Sequence, residues 1–154
     1  MAEKNIVTQH SMKWYQFAVY FQLFAFALVY ILQGMMHLQG FMRGFGTAEK
    51  LYMQYPTLKQ IEVIMAILGF AIAILSIVSR QLLWHFHPRA PRIYLYVMAL
   101  AGLYHFIYDG LASLVIGLPI FTVYDIGGVI STVAIVLSCR IYFTNRSDLF
   151  QKSE

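Results

Sequence analysis

Cysteine is nearly missing from this chain. The single Cys139 allows no intrachain disulfide and excludes thiol–disulfide chemistry that needs a cysteine pair. Charge is scarce as well. Charged residues make up 12% of the 154 positions, about half the ~25% usual for soluble domains. The eleven basic residues outnumber the seven acids, but they are spread over short tails and loops and form no continuous stripe, so a nucleic-acid partner is excluded. Conventional hydrolase machinery is also lacking. A Ser-His-Asp arrangement would need a serine near His105, and Ser113 alone is close in sequence.

What is abundant is apolar. Hydrophobic residues reach 60%, against ~45–50% in soluble domains. They gather into four runs, at roughly 14–36, 58–79, 93–116 and 121–143, each near the ~20 residues of helix that cross a hydrocarbon core. Aromatic residues sit where the runs meet polar sequence, at Trp14, Tyr15, Tyr52, Tyr55, Trp84, Tyr94, Tyr124 and Tyr142, as expected at headgroup level. The chain thus reads as a single all-α domain over residues 1–154, an integral membrane four-helix bundle.

Orientation follows from the basic residues. Lys4, Lys13, Arg80, Arg89, Arg92, Arg140, Arg146 and Lys152 fall on one side of the four runs, and Arg43, Lys50 and Lys59 on the other. With loops this short, the richer side is cytoplasmic. The expected arrangement is antiparallel, with both termini in the cytoplasm, and the expected place is the cell (inner) membrane as a multi-pass protein. The N-terminal run is too long for a cleavable signal and no small-x-small site follows it. No lipidation motif is evident.

Connections have their own signals. The first run ends in a loosened stretch, Gln33-Gly34-Met35-Met36-His37. The first external loop, about 38–57, contains Gly40, Gly44 and Gly46, then Thr47-Ala48-Glu49, which reads as an N-capped helix start. Leu51, Tyr52 and Tyr55 give that short helix an apolar side able to rest on the membrane surface. Pro56 stops it, and Thr57 is placed to cap the second run. Two prolines stiffen the cytoplasmic loop, 80–92, and Pro91 suits the start of the third run. Gly117-Leu118-Pro119 makes the last turn tight.

Helical spacing assigns inner faces. The second run places Glu62, Ala66, Gly69, Ala73 and Ser76 on one small-residue face, which allows close helix approach in lipid. The third offers Ala101, His105, Asp109 and Ala112. The fourth offers Asp125, Gly128, Thr132, Ile135 and Cys139. The first offers Ala18, Gln22, Ala25, Val29, Gln33 and His37. These faces also permit homo-oligomerisation or docking to a membrane partner protein, beside the lipid bilayer itself.

Ionisable residues in a span are costly and ask for a reason. Gln33, His37, Glu62, His105, Asp109 and Asp125 are expected to line the outer half of the bundle as a polar pocket open to the outside. His105 with Asp109, and Gln33 with His37, are one turn apart. A plainer reading puts Glu62 and Asp125 at the membrane boundary, His37 in the external loop, and His105 with Asp109 in a packing hydrogen bond. The functional reading is a non-enzymatic accessory or binding protein that holds a cation or small polar solute, with proton coupling. Two alternatives carry a cofactor, which the sequence does not itself require. One is a metal-dependent membrane enzyme with His105 and Asp109 as first ligands, although no HExxH-type motif is present. The other is a haem electron carrier with His37 and His105 as axial ligands.

Three strings add a resemblance. Lys13-Trp14-Tyr15-Gln16-Phe17, Tyr55-Pro56-Thr57-Leu58-Lys59 and Ile141-Tyr142-Phe143-Thr144-Asn145-Arg146-Ser147-Asp148-Leu149-Phe150 resemble uncharacterised small four-span membrane proteins of anaerobic Firmicutes. The resemblance implies a bacterial inner-membrane location and brings no activity, cofactor or site residue with it.

Overall fold

A computed structural model describes residues 12–40 and 48–150. Helices α1 (Lys13–Leu38), α3 (Thr57–Trp84), α4 (Ala90–Ile116) and α5 (Val123–Thr144) are each long and apolar enough to cross a membrane. A short α2 (Ala48–Gln54) precedes α3, and a 3-10 turn (Ser147–Phe150) follows α5. No strand occurs among the described residues. The expected cap at Thr47 lies outside those residues.

Several ends differ from expectation. The stretch from Gln33 to His37 is not loosened: α1 stays helical to Leu38. Pro56, not Thr57, occupies the N-cap of α3, and no side chain closes that end. The expected cytoplasmic loop is shorter, because α3 runs to Trp84 and α4 starts at Ala90 with Pro91 in its first turn, where a missing N–H costs nothing. Gly117 ends α4 with φ 76°, a left-handed C-cap that glycine adopts freely.

The packing is bundle-like, with α1 most extensively on α3, α3 on α4, and α4 on α5. The face predicted for α3 is correct throughout: Glu62, Ala66, Gly69, Ala73 and Ser76 are all buried. At Gly69 the close approach is literal, since an added Cβ would lie 3.1 Å from both the Tyr104 hydroxyl and the Tyr30 carbonyl and 3.4 Å from the Gly34 nitrogen. The α4–α5 contact is made by Gly102, where a Cβ would meet Thr132 Oγ1 at 2.1 Å. Of the α5 face, only Thr132 and Cys139 are buried, while Ile135 is exposed. α2 lays Leu51 and Tyr52 against the apolar cluster that includes Leu58 and Ile61, as does the following Tyr55, so this side packs on protein.

On α1 the predicted face holds at its ends, Ala18 and His37, and is displaced between them. The buried positions are Tyr15, Ala18, Val19, Leu23, Ala27, Tyr30, Gly34 and His37, and Val29 is exposed. A π-helical turn at Ala18–Gln22 is the cause, because the wider turn shifts the register of everything beyond it. Arg80 Nε donates to the Val19 carbonyl within that turn at 3.0 Å. At the same end of the molecule Tyr15 stacks on Phe86 (centroids 5.3 Å, planes 5° apart), and Phe150 packs against Tyr15, Phe86 and Phe143. The Tyr15 hydroxyl also donates to the Leu83 carbonyl.

Candidate functional site

The site is built where three helices converge. His37 lies in the last turn of α1, Glu62 in the second turn of α3, and Tyr108 on α4. His37 Nδ1 bonds Glu62 Oε2, and the Tyr108 hydroxyl donates to Glu62 Oε1 at 2.5 Å. Both members of the dyad are buried, with 1% of His37 and 4% of Glu62 exposed. Burial of a carboxylate is tolerable only with such partners.

Tyrosines form the walls. The Tyr104 and Tyr108 rings sit steeply against the imidazole, with centroids at 5.7 and 5.0 Å. The Tyr104 hydroxyl donates to the Met65 carbonyl at 2.8 Å, and that of Tyr30 to the Ala101 carbonyl at 2.6 Å. Each of these bonds ties one helix to another while satisfying a buried hydroxyl. Two buried atoms beside this network find no partner among the described residues: His37 Nε2, and Gln33 Oε1 one helical turn before it.

The six expected site residues are not gathered into one pocket. Glu62 and His37 meet in the interior, so Glu62 does not reach solvent and His37 belongs to the last turn of α1 and not to the external loop. Gln33 is half-buried, and its amide nitrogen lies 3.3 Å from His105 Nε2. His105 itself is exposed and Asp109 half-buried. Asp125 accepts from the Thr122 backbone N–H and hydroxyl, both at 2.6 Å, in a capping box at the start of α5. Asp125 thus caps the first turn of α5. Asp109 is within hydrogen-bonding reach of Asp125.

This division has a simple origin on α4. The buried row is Ala101, Tyr104, Tyr108 and Ala112. The predicted row of Ala101, His105, Asp109 and Ala112 shares both its ends, but its two polar members sit one position, about 100°, further round the helix. Sequence reasoning therefore missed Tyr104, Tyr108 and Tyr30. The signal was a run of tyrosines at helical spacing, each with one hydroxyl that a neighbouring carbonyl or carboxylate can satisfy.

The donor set bears on the cofactor alternatives. Among the described residues no three His, Cys, Asp or Glu side chains converge as a metal ion would require. His37 and His105 do not act as a pair: one is buried on Glu62, the other exposed beside Gln33.

Fold and site together define a small helical protein with four candidate membrane spans and a buried histidine–glutamate–tyrosine network. No family model, no curated protein and no solved structure matches it.

Proposed function

We propose that this is an antiparallel, multi-pass protein of the cell inner membrane, with both termini cytoplasmic, that binds a cation or small polar solute at His37 and Glu62. Proton movement through the dyad accompanies binding. The role is that of an accessory or binding protein, not an enzyme, in the lipid bilayer and with a second copy or another membrane protein as partner. Orientation is supported by the eight basic residues on one side against three on the other. It is supported also by the aromatic cluster of Tyr15, Phe86 and Phe150, which brings the start of α1, the α3–α4 connection and the end of the described chain together.

One observation carries the binding reading: a fully buried imidazole, oriented by a carboxylate through Nδ1, keeps Nε2 without a partner among the described residues. A histidine held by a carboxylate in this way is oriented to use its other nitrogen. A second reading has its own support. Both Glu62 oxygens are satisfied, by His37 and Tyr108, so the network also works as a clasp across α1, α3 and α4.

Histidine-selective 15N NMR of the purified protein separates the two. Binding predicts that at least one probe among potassium, sodium, guanidinium, urea and simple amines shifts the His37 Nε2 resonance, and that Glu62→Gln abolishes the shift. Invariance to every probe, with Glu62→Gln only less stable, leaves the clasp.

A further inference from the structure

The two unpartnered atoms share a helix, a face and a chemistry. Gln33 and His37 are spaced i, i+4 on α1, so their side chains are neighbours. The Tyr108 hydroxyl donates to Glu62 Oε1, and in the tautomer with its proton on Nδ1 the imidazole donates to Oε2. Nε2 is then a bare lone pair. With the Gln33 amide nitrogen turned to His105, Oε1 is a second bare acceptor. Behind them stands a carboxylate that, among the described residues, has this imidazole and the Tyr108 hydroxyl as hydrogen-bond partners and no Lys or Arg on it. Two acceptors and an uncompensated buried anion ask for a group that donates more than one hydrogen bond and carries positive charge.

We propose that this corner of the protein holds a primary ammonium group, R–NH3+, between His37 Nε2 and Gln33 Oε1, with Glu62 as its countercharge. The inference deepens the binding reading above and rests on it. An ammonium brings three N–H donors, which a sodium ion or a quaternary amine lacks. Tyr104 and Tyr108, packed on the imidazole, supply aromatic neighbours that accommodate a cation. The site lies in the last turn of α1 and the second turn of α3, near the helix ends. For a membrane-spanning chain this is the depth of lipid headgroups, so the ammonium can come from a phosphatidylethanolamine headgroup or from a free amine.

The test uses the full chain in nanodiscs and reads the unfolding temperature and the His37 15N resonances. Phosphatidylcholine discs are compared with discs containing phosphatidylethanolamine. Methylammonium or tetramethylammonium is then added to the phosphatidylcholine discs. The expected result is a rise in Tm of a few degrees and a shifted Nε2 resonance with an N–H-bearing amine, and no change with tetramethylammonium. Response to methylammonium identifies a free amine as sufficient, and response to phosphatidylethanolamine alone identifies the headgroup. Gln33→Leu, which leaves the dyad intact, abolishes the response and keeps the fold. Equal responses to methylammonium and tetramethylammonium, or an unchanged response in Gln33→Leu, overturn the ammonium assignment. If amines fail while guanidinium or potassium shifts Nε2, the ammonium assignment falls and the binding reading stands. If no probe acts, both fall.

Discussion

Gly34 and Gly69 meet across the α1–α3 crossing: a Cβ on Gly69 would lie 3.4 Å from the Gly34 backbone nitrogen, and one on Gly34 would lie 3.2 Å from the Ala66 carbonyl. Neither helix can carry a side chain there without moving its partner. Gly127 on α5 is the natural control, because a Cβ there meets nothing within 4 Å. Gly69→Leu is expected to lower stability by about 1–3 kcal/mol, the usual cost of overpacking, and Gly127→Leu by less than about 0.5 kcal/mol. Unfolding in detergent checks both. Equal losses would remove the crossing as the tight point of the fold.

The dyad makes a separate prediction. Removing one member of a buried, hydrogen-bonded pair leaves the other uncompensated, at about 3–5 kcal/mol. Glu62→Leu and His37→Leu should each be costly, while the double variant should cost clearly less than the two together. A double-mutant cycle on thermal unfolding measures that coupling, and simple additivity would mean that the bond contributes nothing.

Tyrosine hydroxyls are expected to contribute less. Tyr104→Phe removes the bond to the Met65 carbonyl and Tyr30→Phe that to the Ala101 carbonyl, each for about 1 kcal/mol. Tyr108→Phe differs from them because it strips a donor from the buried Glu62 carboxylate, for about 1.5–3 kcal/mol. That order of effects, read from denaturant or thermal curves on the three variants, tests whether Tyr108 belongs to the site or only to the packing.

Orientation can be tested by labelling. Ala90 is fully buried and would report poorly, whereas Arg89 and Lys50 are exposed. With Cys139 replaced by alanine, Lys50→Cys should react with an impermeant maleimide in intact cells with the outer membrane opened. Arg89→Cys should react only after the inner membrane is permeabilised. The reverse pattern would invert the proposed topology.

Much of this was readable in advance, and the reasons are local. Four helices long enough to span a membrane follow from apolar length alone, and the α3 face from an uninterrupted row of small residues ending in Glu62. His37 and Glu62 were legible as costly groups. Both were expected on one pocket, but the bond that pairs them was not, because it depends on how α1 is rotated, and the π-turn at Ala18–Gln22 leaves no mark in an apolar, aromatic stretch. On α4 the polarity of His105 and Asp109 pointed the wrong way. Tyr104 and Tyr108 are large and only weakly polar, so each can bury a ring and still spend its hydroxyl on a neighbour. Asp125 was ambiguous between site and cap until the start of α5 was placed beside Thr122.

The π-turn makes α1 a splice of two helical phases. Before it, Tyr15 is set toward Leu83 and Phe86; after it, Tyr30, Gly34 and His37 are set toward α3 and α4. An unbroken α-helix would carry only one of these phases. Deleting one residue between Ala18 and Gln22 would let the helix run straight, and one half would then turn by about 100° relative to the other. The aromatic anchor at one end and the acid–histidine pair at the other are therefore held in joint alignment by a single extra residue, and Arg80 on the Val19 carbonyl is the rivet that keeps it in place.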